Sequence, residues 1–147
     1  MTRVLALALA AAVLALTACA GDEATRVTLT DGECAYEGPG SVEAGSVVLE
    51  IENQRDEPGV FELVRIDPSS PPDALEAYVA AEQERIDGGG TRQGLPGFAT
   101  VVVPQLEVEP GELSVLTAGL TAGEYAVLCS SGTPPTSIHA TASFEAT

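Results

Sequence analysis

Tryptophan and lysine are absent from this 147-residue chain, and histidine and methionine occur once each. A lone histidine, His139, excludes any metal or catalytic centre that draws two histidines from one chain, including the His-Glu-x-x-His zinc motif. Basic residues are also few. Six face 22 acidic ones, for a formal net charge of −16. That balance argues against nucleic acid or an anionic lipid surface as partner, since both require a basic patch. It suits solubility and cationic partners. The acids are scattered and not massed in one block, as on a solvated surface. Catalytic signatures are missing too: there is no Gly-x-Ser-x-Gly elbow, no Walker motif and no Asp-x-Asp-x-Asp-Gly calcium loop. Ser130 and Ser131 stand near His139 in sequence without an evident orienting acid, and Asp56-Glu57 sits in a turn. The chain is expected not to be an enzyme.

Long apolar runs are scarce. Val4–Leu16 spans 13 residues, whereas a bilayer-crossing helix needs about 20. With Arg3 before it and small residues after it, the run reads as an export signal, Met1–Ala18. Leu16-Thr17-Ala18-Cys19 matches the lipobox of bacterial lipoproteins, in which the cysteine is acylated (palmitate among the chains) and becomes the new N-terminus. Several acyl chains on Cys19 would hold the protein on a membrane far better than a single chain does. The expected organisation is a signal over residues 1–18, a lipidated tether over 19–25 and one soluble domain over 26–147. The expected location is the extracytoplasmic face of the cell membrane. In a two-membrane host, Ala20 after the cysteine marks no inner-membrane retention, and the outer membrane is the alternative. Acylation of Cys19 leaves two of the three cysteines, Cys34 and Cys129. In an exported protein an even pair suggests a disulfide.

From Arg26 onward, Gly and Pro turns separate short strand patterns. Val27 and Leu29 alternate with polar residues before Asp31-Gly32. Cys34 and Tyr36 alternate before Gly38-Pro39-Gly40, and Ser46–Glu52 sets Val47, Leu49 and Ile51 on one face. Val60–Ile66 is a near-continuous β-rich run, as expected of a central strand. Ser70-Pro71-Pro72-Asp73 then signals a helix start. Leu75, Tyr78, Val79, Glu82 and Ile86 keep helical spacing, predicting an amphipathic helix over 72–87. Gly88-Gly89-Gly90 ends it as a connector. With no following Gly-Lys-Ser/Thr, this is no phosphate loop. Strand patterns resume at Ala99–Val103, Leu106–Val108, Leu113–Thr117, Glu124–Cys129 and Ile138–Glu145. Together, with some of these short patterns sharing a strand, they predict an all-β Greek-key sandwich of seven or eight strands with one inserted helix.

Two stretches carry a family resemblance. Val42-Glu43-Ala44-Gly45 followed by Ser46–Asn53, and Val108-Glu109-Pro110-Gly111 followed by Leu120-Thr121-Ala122-Gly123-Glu124-Tyr125 up to Cys129, resemble the strand signatures of cupredoxins. His139, ten residues after Cys129, is similar in placement to a histidine of their ligand loop. The resemblance implies a cupredoxin-like sandwich with the helix as an insertion, and Tyr125 as a buried structural corner whose hydroxyl bonds backbone. It also implies a metal site that this chain cannot complete. Blue copper requires two His and one Cys, usually with a weak axial Met. Gly59-Val60-Phe61 stands where the first His belongs and Ala140-Thr141-Ala142 where the Met belongs; the only Met is Met1. In the family fold, the strand bearing Cys34 ends near the ligand loop, so Cys34 and Cys129 can meet.

Two readings of these residues follow. In one, Cys34 and Cys129 form a disulfide, no cofactor is bound, and the domain is a non-catalytic binding or structural module for an unidentified protein or small molecule. In the other, Cys34, Cys129 and His139 form a three-ligand site that handles copper or another soft metal.

Overall fold

A computed structural model describes residues 25–147. The predicted export signal, the lipobox and Cys19 lie outside the described residues. Ten strands and one helix occur among them: β1 (Thr25–Leu29), β2 (Cys34–Glu37), β3 (Ser41–Val42), β4 (Gly45–Asn53), β5 (Gly59–Ile66), α1 (Ala74–Asp87), β6 (Ala99–Val108), β7 (Leu113–Leu120), β8 (Gly123–Ser131), β9 (Ser137–Ala140) and β10 (Phe144–Ala146). Two sheets face each other. One has the order β2-β1-β4-β7, the other β3-β10-β8-β5-β6, with β9 also paired to β8. This is the expected all-β Greek-key sandwich with one inserted helix.

The strand count of seven or eight is corrected to ten, and each difference has a local cause. Gly38-Pro39-Gly40 does not end the second strand pattern for good. The chain pivots there and continues as β3, which joins the opposite sheet beside β10. A Cβ on Gly38 would lie 2.9 Å from both the Tyr36 hydroxyl and the Thr25 methyl, so a larger residue at this pivot would have to displace those two side-chain ends. The two patterns at Ala99–Val103 and Leu106–Val108 are one edge strand, β6, with register shifts against β5. Pro104 is tolerated within it because an edge strand leaves one ladder unpaired. Ile138–Glu145, in contrast, breaks into β9 and β10. Thr141 bridges the break with its backbone N–H on the Val127 carbonyl (2.9 Å) and its hydroxyl accepting from Val127 N–H (3.0 Å). The first strand begins at Thr25, paired with Leu49.

Where a sheet has a solvent side, alternation survives. On β4, Leu49 and Ile51 are fully buried while Val48 is half exposed. β5 and β8 are covered on both faces, which explains their near-continuous apolar runs. Val27, Leu29, Leu49, Ile51, Leu116 and Leu120 of the first sheet pack against Phe61, Leu63, Tyr125, Val127, Cys129 and Phe144 of the second. Full burial of one such side chain contributes about 2 kcal/mol. The opposite face of β5 and β8 carries a smaller cluster, Val64, Ile66, Ala126 and Leu128, under Leu75, Tyr78, Val79, Leu95 and Phe98.

The helix starts at Ala74, two residues after its predicted start at Pro72. Asp73 occupies the N-cap without a side-chain capping bond. Leu75, Tyr78 and Val79 face the sheet as expected, yet the most buried helical residue is an acid, Glu82. Gln83 fastens the helix to β9 by accepting the Ile138 N–H at 3.0 Å.

Candidate functional site

The three residues singled out from the sequence come together at one end of the sandwich. Cys34 opens β2 in the first sheet, and Cys129 lies on β8 in the second. They form a disulfide across the interior, with Cα atoms 6.1 Å apart and a separation of 95 positions in sequence. Closing a loop of that length stabilises the fold by about 4 kcal/mol in the chain-entropy model. His139 stands directly opposite Cys129 in the β8–β9 ladder. The row across the sheet reads Leu106, Phe61, Cys129, His139.

The imidazole of His139 is half-buried, and its Nε2 atom is buried without a hydrogen-bond partner. Burial pushes its pKa below the usual histidine value. The positive Arg55 guanidinium adds to that push, and Glu33 opposes it. Arg55 is itself held over this end of the sandwich. It donates to the Ser137 hydroxyl at 3.2 Å and lies 3.8 Å from Asp31 and 4.0 Å from Glu57. Ser131 and Ser137 exchange a 2.7 Å hydroxyl contact, and neither hydroxyl is hydrogen-bonded to His139.

The position that the cupredoxin resemblance assigns to a first histidine is closed by packing. A Cβ on Gly59 would sit 3.0 Å from the Phe61 ring and 3.1 Å from both Asn53 Cγ and Leu29 Cδ2. Any side chain there would have to push three core groups aside. Phe61 points into the interior, fully buried. No cluster of three or more His, Cys, Asp or Glu side chains with metal-binding placement occurs among the described residues.

Asn53 organises this end of the molecule, a role its place at the end of an alternating strand did not reveal. Its fully buried amide donates to the Glu57 carbonyl (2.8 Å) and the Val108 carbonyl (2.9 Å), and its oxygen accepts from Arg55 N–H (3.1 Å). The loop leading into β5 is thereby fixed against the end of β6. Tyr125 is 1 % exposed. Its hydroxyl donates to the Thr121 carbonyl at 2.7 Å, while Phe144 stacks between it and Tyr36, with centroids 6.0 and 4.7 Å away.

Sequence reasoning also missed a charged layer beneath the helix. Glu62 on β5 accepts from Arg92 at 2.7 Å, with both side chains almost wholly buried. Glu82 accepts from Arg85 at 3.2 Å and from the Gln93 N–H at 2.7 Å. Beside the first pair a cleft of about 490 Å³ opens between Gln105, Ser130 and Thr133. A second, of about 280 Å³, opens at the other end of the helix.

No family model and no curated protein sequence matches the chain. Solved structures that it resembles include the dithionite-reduced auracyanin of Roseiflexus castenholzii, at 19 % identity and a TM-score of 0.41 over 79 % of this chain and 92 % of that one. Auracyanin A, a blue copper protein from Chloroflexus aurantiacus, shows 16 % identity and a TM-score of 0.43 over 79 % and 94 %. Auracyanin B shows 18 % and 0.38 over 80 % and 86 %.

Proposed function

We propose that the protein is a lipid-anchored, non-catalytic module of the cell envelope, built on a cupredoxin-like sandwich whose blue-copper site is incomplete. The Cys34–Cys129 disulfide carries this reading. A blue-copper centre needs its cysteine as thiolate and two histidines. Here the sulfur is tied into a cross-link beside the lone His139. Acyl chains on Cys19 hold the domain at the extracytoplasmic face, where it binds a protein or small molecule. The test is intact mass and thiol titration on protein exported and purified without reductant, followed by titration with copper. A mass about 2 Da below the reduced value, no free thiol and no stoichiometric copper are expected. One equivalent of copper with intense blue absorption would overturn the reading. For the anchor, Cys19→Ser should move the protein from membrane to soluble fractions, and unchanged fractionation would refute lipidation.

One observation favours a second reading: His139 lies across from Cys129 with Nε2 unpartnered. In that reading, reduction frees both thiols and the three side chains take Cu(I) or Zn(II). It requires metal uptake by the reduced protein and its loss in His139→Ala.

A further inference from the structure

We propose that the cleft at the N-terminal end of α1 binds a small organic cation with an apolar body. This rests on the reading of the domain as a binding module and names the chemistry it recognises. The segment between β5 and α1 stands off the sheet there and leaves a cavity of about 280 Å³. That lies at the small limit of ligand pockets, roughly 300–1,000 Å³, and fits one ring or a short chain.

The floor is apolar. Ile66, Leu75, Val79 and Ala140 belong to the cluster under the helix, and the cavity is its unfilled end. Pro68, Pro71 and Pro72 form one wall, and their fixed φ angles keep the cavity open before anything binds. A preformed cavity costs little ordering on binding.

The rim is acidic, and its three carboxylates outweigh the roughly half charge that the positive end of α1 contributes there. Asp67, Glu76 and Glu124 line it, and no basic residue does. Asp67 Oδ1 accepts the Ser69 N–H at 2.8 Å and the Ser69 hydroxyl at 2.7 Å, contacts that orient the carboxylate and hold its pKa below the usual range. The base nearest in sequence, Arg65, turns away and donates to the Ala122 carbonyl at 2.8 Å. These carboxylates are spread around the mouth and do not gather as metal ligands. A hard ion needs converging oxygens. An ammonium group on an apolar body matches spread charge above an apolar floor.

The test titrates the full chain, exported and with its disulfide intact, with benzyltrimethylammonium, using calorimetry and amide-shift mapping by NMR. Phenylacetate, of similar body and opposite charge, is the control. One cation per chain is expected, with shifts confined to Ile66–Val79, Glu124 and Ala140–Ser143, and phenylacetate about tenfold weaker or undetected. Asp67→Asn with Glu124→Gln should lower affinity about fivefold, and about 0.3 M salt should lower it about threefold. Equal affinity for both probes, shifts scattered over the acidic surface, or full affinity in the double variant would overturn the proposal. Absence of cation binding in a copper-free, disulfide-intact protein would remove the cleft's role and leave the module reading standing. Stoichiometric blue copper in the same preparation would remove the module reading instead.

Discussion

The central strands of the β3-β10-β8-β5-β6 sheet, β5 and β8, bury both of their faces, and the two faces are covered with different materials. Towards the other sheet the cover is almost wholly apolar and is cross-linked by Cys34–Cys129. Beneath α1, four apolar side chains share the layer with Glu62–Arg92 and Glu82–Arg85. Apolar burial is non-directional and tolerates small shifts. A buried ion pair holds only with its geometry intact, because an unpaired buried charge costs several kcal/mol. Both clefts open on the helix side, where cover is incomplete and polar. The interior therefore supplies most of the stability, and the helix side carries the open, polar clefts.

The largest expected effect tests the first half of that contrast. Cys34→Ala with Cys129→Ala should lower unfolding free energy by about 4 kcal/mol, read from urea denaturation without reductant. A loss below about 1 kcal/mol would show that apolar packing alone secures the interior. Asn53→Ala comes next. It leaves the Glu57 and Val108 carbonyls without their donor in a buried site, at a cost of about 2–3 kcal/mol. Asn53→Asp should do nearly as much damage, since a carboxylate cannot donate to those carbonyls. Near-wild-type stability in Asn53→Asp would sink this account.

How legible each face was in the sequence follows from the same contrast. The interior was readable because Val47, Leu49 and Ile51 repeat with the period of a strand that has one wet side. The cysteines were readable as a pair because the expected export, with acylation of Cys19, would leave an even number. The polar layer was not. Glu62 sits within a β-rich run and Arg92 in a Gly-rich connector 30 residues later, and nothing local announces that they meet. Glu82 was placed on the apolar helical stripe by spacing, but its partners, Arg85 and Gln93, were invisible as partners. At the candidate site, Cys34, Cys129 and His139 were found together. Gly59 was known only as a missing histidine, and its packing reason needs three side chains from three segments.

A smaller effect is expected from the ion pair under the helix. Arg92→Met leaves Glu62 unpaired; because 10 % of its side chain still meets water, the cost falls below that of a fully buried charge, to about 2 kcal/mol. Adding Glu62→Leu should recover most of that loss, because apolar residues of similar volume replace buried pairs at little cost. Equal stability of the single and double variants would mean that the two charges are not coupled and that solvent already reaches them. That result would weaken the division between a dry interior and a polar helix side. It would leave the disulfide prediction untouched.

The smallest effect concerns His139, which lies where the two regions touch: it pairs with Cys129 through β9, the strand to which the helix is fastened. Its pKa is lower in the folded protein than the usual value near 6.5, chiefly by burial and then by Arg55, with Glu33 opposing. The unfolded chain therefore binds the proton more readily. The contribution is present above about pH 6.5 and is lost as pH falls from there through the folded-state pKa. Urea midpoints measured at about pH 7.5 and about pH 5 should fall further for the wild type than for His139→Gln, which has no proton to take up. Arg55→Gln should shrink the difference, because it removes the one charge that disfavours the imidazolium and leaves burial, with Glu33 opposing it. Parallel pH dependence in the wild type and His139→Gln would show that water reaches Nε2 in the folded state. The histidine would then belong with the open helix side and not with the sealed interior.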